Sequence, residues 1–248
     1  MIKPKTLFLF LVLLIESFTI QKSRTTENLT LTTSDGIKIA ATLALPSKIS
    51  GKIPVVILIH QGGSDKAEWI NSPFFSQLLD AGYAVLAYDV RNHGNSENDG
   101  GDLMDLFNNP NRAPLDLQAV IAYLQKIPII DAQRIAIVGS SIGGNLACVA
   151  SANPDVYPIK TAVAISCKTQ AVINLAGTKN LKMKSVFLIS SKNDQNGQRA
   201  VWAEELYQLS SPPHRIAIAQ ESGSHGVQVL ADDPELYKQM VDWLNETL

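Results

Sequence analysis

The sequence predicts an α/β protein built on one mostly parallel sheet of eight strands, and three observations carry that expectation. Short continuous apolar runs such as Val55-Val56-Ile57-Leu58-Ile59 recur along the chain, as strands covered on both faces require. Stretches with helical apolar spacing separate them, and strand–helix alternation of this kind builds a parallel sheet with helices on both faces. The 248 residues suit one such domain and are too few for two ordinary ones with independent cores. Hydrophobic residues make up 46% and charged residues 18%, a balance that fills a core and argues against disorder.

The N-terminus opens on Lys3 and Lys5, followed by the apolar run Leu7 to Ile15 and then Glu16. A basic segment before a short apolar one reads as an export signal, and the run is short for a membrane span. Ser17-Phe18-Thr19 is a poor cleavage site, so the expected exported protein, periplasmic or secreted, is either released or retained by an uncleaved segment. Residues 1–20 are assigned to this leader, 21–28 to a polar tether and 29–248 to the domain.

Leu29 to Thr33 and Ile37 to Leu45 alternate around the turn Ser34-Asp35-Gly36, a hairpin expected to form an antiparallel edge. Val55 to Ile59 is the first buried strand. Glu68 to Ala81 has helical spacing and stops at Gly82, a C-terminal signal. Tyr83 to Tyr88 is a strand, and Leu115 to Gln125 a helix with Pro114 just inside its start. Arg134 to Val138 is the next strand, and Ser141 to Ser151 a helix of small residues. Strands follow at Thr161 to Ile165, Ser185 to Ile189 and Arg215 to Ala219, with helices at Gly197 to Leu209 and Pro234 to Glu246.

The chemistry concentrates at Gly139-Ser140-Ser141-Ile142-Gly143-Gly144, which stands between a strand and a helix. That is the setting of a nucleophile elbow, where a serine is held in a strained turn that leaves room only for glycine beside it. A helix starting at this point also aims free backbone N–H groups at developing negative charge. The bland alternative is a glycine-rich junction with a capping serine, a role Ser140 could fill.

The chain resembles the dienelactone-hydrolase-like serine esterase branch of the α/β-hydrolase family from about Thr30 to Leu244. The matching segments are His60-Gln61-Gly62-Gly63, Asp89 to Ser96, Gly139 to Gly144, Asn193-Asp194 and Gly223-Ser224-His225-Gly226. Dienelactone hydrolases proper use a cysteine nucleophile, so Ser141 departs from them. The resemblance implies an α/β-hydrolase fold, an oxyanion-loop role for His60 and a second oxyanion donor from the same loop, Gly62 or alternatively Gln61. The first donor is the Ile142 amide at the elbow. For Asp89 and Arg91 it implies a role in shaping a loop.

A serine needs a base within reach, and the order Ser, acid, His leaves His225 and His214 as candidates. His225, between glycines in a loop after the last strand, is the better placed; His214 follows Pro212-Pro213 and reads as a surface residue. His93 reads as loop packing. The acid is expected at Asp194, in the polar loop after the seventh strand, where ligands meet open α/β sheets. Asp155 lies at a surface turn, and Asp232 and Asp233 read as caps of the final helix. Trp69 either lines the pocket or packs, and Met104, Leu106 and Phe107 are candidates for its wall.

The expected reaction is ester hydrolysis through an acyl-serine, with a small-molecule ester as partner. A prolyl-oligopeptidase-type peptidase, a thioesterase, or an inactive binding protein on the same fold are the alternatives. No metal or organic cofactor is expected, since the chain carries neither a ligand cluster nor a dinucleotide fingerprint. A net charge of −2 without a basic stripe excludes nucleic acid as the expected partner. Cys148 and Cys167 are expected as buried free thiols, although a disulfide between them stays open. Cys167 to Lys184 leaves room for a helix or two but not a cap domain.

Overall fold

The hydrophobic runs become a single twisted sheet with the strand order β1-β2-β4-β3-β5-β6-β7-β8. This is a computed structural model, and it describes residues 24–248. The leader expected over 1–20 lies outside the described residues. Among the described residues, no helix is long and apolar enough to cross a membrane.

In chain order the strands are β1 (Thr25–Thr32), β2 (Lys38–Leu45), β3 (Ile53–Ile59), β4 (Ala84–Tyr88), β5 (Ile130–Ser140), β6 (Thr161–Ile165), β7 (Met183–Ser191) and β8 (Ser210–Ala219). The helices are α1 (Ala67–Ile70), α2 (Pro73–Asp80), α3 (Asp105–Asn108), α4 (Ala113–Leu124), α5 (Ile142–Ala152), α6 (Thr169–Ala176), α7 (Gln198–Gln208), α8 (Gln228–Asp232) and α9 (Glu235–Thr247). β1 and β2 form the expected antiparallel edge, and every pairing from β3 to β8 is parallel.

Period-2 alternation divides each central strand between two cores. Val55, Ile57 and Ile59 of β3 face the layer of α4, α5 and α6, where they meet residues such as Leu117, Leu146 and Val172. Val56 and Leu58 face α2 and α9, against Phe74, Leu78, Met240 and Trp243. The spacing of Leu236, Met240, Trp243 and Leu244 puts one face of α9 onto the sheet. Burying both faces is why these strands read as unbroken apolar runs.

Several expectations needed correction. Thr25 to Asn28, expected within a tether, belong to β1 and pair with Thr42 to Leu45 of β2. The single helix expected over Glu68 to Ala81 is two, because Pro73 forces Ser72 into extended backbone (ψ 152°). β8 begins five residues early, through Pro212-Pro213; prolines are tolerated there because β8 is an edge strand. Asp232 and Asp233 do not cap α9, whose N-cap is Pro234 and carries no side-chain capping bond. Only α6 occupies the stretch between β6 and β7, which leaves no cap domain in place.

Candidate active site

The loops at the carboxyl ends of β3, β5, β6, β7 and β8 converge, and each carries part of the site. Ser141 sits where β5 turns into α5, with φ 52° and ψ −102°, a backbone region unfavourable to a side chain. Its N–H donates to Ile165 O at 2.8 Å, and its carbonyl accepts Asn145 N–H at 2.9 Å. These bonds hold the turn from both sides. The glycines around it are steric requirements. A Cβ on Gly143 would fall 2.7 Å from the Ile59 carbonyl carbon, one on Gly144 2.6 Å from Ile165 O, and one on Gly139 2.7 Å from the Gly144 nitrogen. Ser140, the alternative capping serine, does no capping. It is fully buried and donates to Gln61 Oε1 at 3.2 Å.

Asp194 and His225 meet. The His225 Nδ1 lies 2.6 Å from Asp194 Oδ2, the carboxylate nearly buried and the imidazole about one-third exposed. Nδ1 must carry the proton for this bond, since a carboxylate only accepts, and that leaves Nε2 free to act as a base. Neither residue sits in a loose loop. Asn193 N–H donates to Ser222 O at 3.1 Å, Ser191 Oγ donates to Ser224 O at 2.6 Å, and Ser222 Oγ donates to Asp232. Gly226, next to His225, packs on the elbow: a Cβ there would fall 2.7 Å from Ser140 Oγ.

The loop after β3 is fastened to the elbow. Gly143 N–H donates to His60 O at 3.3 Å, and a Cβ on Gly62 would come 2.9 Å from Ile142 Cδ1. Gly62 and Ile142 are therefore neighbours, while the Gln61 N–H is engaged by Glu68 Oε1 at 3.3 Å. The His60 ring is fully buried beneath the loop rather than open to the site. Its Nδ1 donates to Gln61 O (2.7 Å) and its Nε2 accepts Val90 N–H (2.9 Å). Burial pushes its pKa down to about 4, so the ring is neutral and holds this pair of bonds.

The remaining candidates separate. His93 packs in its loop, its Nδ1 bonded to Arg91 O and its ring 5.0 Å from His60. His214, read as a surface residue, is half-buried and stacks on Tyr207 with ring centroids 4.2 Å apart. Asp155 is exposed. Asp89 binds Lys66 and the Asn95 N–H, and Arg91 pairs with Asp35, Asp99 and Asp116, so both shape loops as expected. Trp69 is fully buried against Phe74, and so packs. Leu106 is core, whereas Met104 is about half exposed. Leu103 beside it, about half exposed, reaches within 3.9 Å of the Gly62 Cβ position. Both cysteines are buried free thiols with Sγ atoms 3.7 Å apart, and the contact with Cys167, with burial, pushes the Cys148 thiol well up.

Three residues near the site had no sequence signal. Ser166, at φ 54°, accepts Gly226 N–H on its Oγ (3.0 Å), and its carbonyl accepts Arg199 Nη1 (2.7 Å). Glu68 lies behind the loop after β3. Their roles depend on contacts between distant loops, which no local spacing reveals.

Residues 54–208 match the family model of the alpha/beta hydrolase fold, which covers more than half of the chain. The chain belongs to the α/β hydrolase fold family. Solved structures share its architecture. The Pyrococcus furiosus esterase Pf2001 superposes with a TM-score of 0.71 over 90% of this chain and 93% of its own, at 20% identity. The acetyl xylan esterase from Paenibacillus sp. R4 gives 0.72 over 94% of this hydrolase-fold chain and 87% of its own, at 16% identity. Among curated relatives, the quorum-quenching protein AidA of Acinetobacter baumannii (strain MDR-ZJ06) is 30% identical over 121 residues, 48% of this chain and 38% of AidA. An uncharacterized 31.7 kDa protein of Escherichia coli is 29% identical over 156 residues, 63% of this chain and 51% of that protein. The chain thus spans about half, or less, of the length of these relatives.

Proposed function

We propose that this α/β hydrolase cleaves carboxylic esters through an acyl-serine intermediate, with Ser141 as nucleophile, His225 as base and Asp194 as its partner. The observation that carries the reading is the 2.6 Å Asp194–His225 bond, made beside an elbow whose serine is held at positive φ. Esterases among the structures of similar fold support it. Ser141 attacks the ester carbonyl as His225 Nε2 takes its proton; Asp194 fixes the imidazole tautomer and stabilises the imidazolium. The leaving alcohol takes that proton, and His225 then activates water against the acyl-serine.

Ile142 and Gly62 amides are the proposed oxyanion donors. Ile142 opens α5, where no earlier turn of helix accepts its N–H. Glu68 already engages the Gln61 amide, which favours Gly62 over its neighbour. The steps need no metal or organic cofactor.

With only α6 between β6 and β7, the site is open, which suits small soluble esters. The exposed Leu103 and Met104 offer an apolar surface beside it. A panel of p-nitrophenyl esters from acetyl to long acyl chains, with thioesters and peptide amides as comparators, tests the proposal. Short esters should give the highest kcat/KM, and Ser141→Ala should lose it; activity on amides, or on long-chain lipid esters alone, would contradict the substrate class. The leader is proposed to direct export, and fractionation of cells making the full chain checks it.

A further inference from the structure

Behind the loop after β3 lies a buried carboxyl that the proposed reaction does not use. Glu68 Oε1 accepts the Gln61 N–H, while Oε2 is buried without a hydrogen-bond partner. The hydroxyls of Ser64 and Ser140 lie beside the same carboxyl. Ser140 Oγ donates to Gln61 Oε1 (3.2 Å), and Gln61 Nε2 donates to Gln228 Oε1 (3.3 Å). Gly226 closes the cluster against Ser140 and Gln61. One polar cluster therefore touches the Gly62 loop, the residue before Ser141 and the segment that carries His225.

A buried carboxyl oxygen without a partner favours the neutral acid. With its single hydrogen directed at Gln61, the Ser140 hydroxyl turns lone pairs to its other neighbours. A neutral Glu68 then completes the set, its O–H donating to a serine oxygen while its carbonyl holds the Gln61 amide. An ionised Glu68 must draw on the Ser64 hydroxyl and compete with Gln61 for the Ser140 hydrogen.

We infer that Glu68, resting on the acyl-serine reading above, is a positioning residue whose neutral form holds Gln61 so that the Gly62 amide faces the oxyanion. Its ionisation rearranges the cluster and places negative charge behind the site where the transition state develops its own. Burial pushes the Glu68 carboxyl up to about 7, with Asp65 adding to the rise, so the change falls near neutral pH. The titratable groups on the surrounding elements are His60, Asp65, Lys66, Asp89, His93 and His225. Of these, His60 stays neutral and Lys66 is committed to Asp89 at 2.6 Å.

The test uses the full chain with a short activated ester, recording kcat and KM from pH 5 to 9 for wild type, Glu68→Gln and Glu68→Ala. Wild-type kcat should fall as pH rises past about 7, the value to which burial brings Glu68. Glu68→Gln, neutral at every pH, should abolish that fall. Glu68→Ala should lose roughly tenfold in kcat with KM unchanged, less than the 10²–10³ lost with a whole oxyanion donor. A falling limb that is missing in wild type or persists in Glu68→Gln overturns the inference, as does a loss in KM alone. The isosteric glutamine keeps the test decisive if Glu68→Ala does not fold. Fluorophosphonate labelling of wild type separates the two claims. Without labelling the acyl-serine reading fails, whereas labelling with an unaltered pH profile in Glu68→Gln overturns only Glu68.

Discussion

At the residue scale, the Asp194–His225 bond joins a nearly buried carboxylate to a partly exposed imidazole. Replacing Asp194 with asparagine keeps the shape but permits the wrong tautomer, and kcat should fall by about 10⁴ with little change in KM. Steady-state kinetics on an activated ester checks this; a loss below tenfold would make Asp194 dispensable. Ser141, Asp194 and His225 could be picked out as candidates because each follows a strand and they come in the order Ser, acid, His. Glu68 was not. Its neighbours Asp65 and Lys66 look equally charged in the sequence, and only the fold shows that Glu68 holds a carboxyl oxygen buried without a partner.

The elements explain why the elbow tolerates so little change. Gly143 lets α5 lie directly on the end of β3, with the Ile59 backbone where a Cβ would go. Gly143→Ala must push helix and strand apart, costing about 3 kcal/mol, the upper end for overpacking, and misplacing Ser141 as well. Thermal melts together with activity test it, and a variant with wild-type Tm and rate would refute the steric account. Long periodic elements such as α4 and α9 were legible to within two residues at either end. The short helices α3 and α8 were not anticipated, and α6 only as room for a helix or two: four to eight residues hold too little of an apolar repeat to stand out. Pro73 was in plain view, yet the apolar spacing on both sides of it suggested one helix where backbone sterics make two.

Over the whole molecule, two groups around the loop after β3, His60 at its start and Glu68 on α1, act on stability with opposite signs. His60 is depressed from 6.5 to about 4, so stability falls as pH drops from 6.5 toward 4, by about 3 kcal/mol at roughly 1.4 kcal/mol per unit. Glu68 is raised from 4.5 to about 7, so its contribution is present below 4.5 and lost as pH rises to 7, by a similar amount. The two oppose each other between pH 4.5 and 6.5, and Asp116, which burial raises to about 6, adds to the side of Glu68. Denaturant unfolding of Glu68→Gln should therefore gain stability relative to wild type as pH rises from 4.5 to 6.5. Equal slopes in the two proteins would remove the Glu68 shift. The strand order, the two-sided core and the converging loops are likewise properties of the whole chain, and they give the serine its setting. Intact-mass spectrometry after exposure to a fluorophosphonate probe measures the central claim most directly. The account predicts one adduct on wild type, mapped by peptide digestion to Ser141, and none on Ser141→Ala. An unlabelled wild type, or a label that persists in Ser141→Ala, would contradict it.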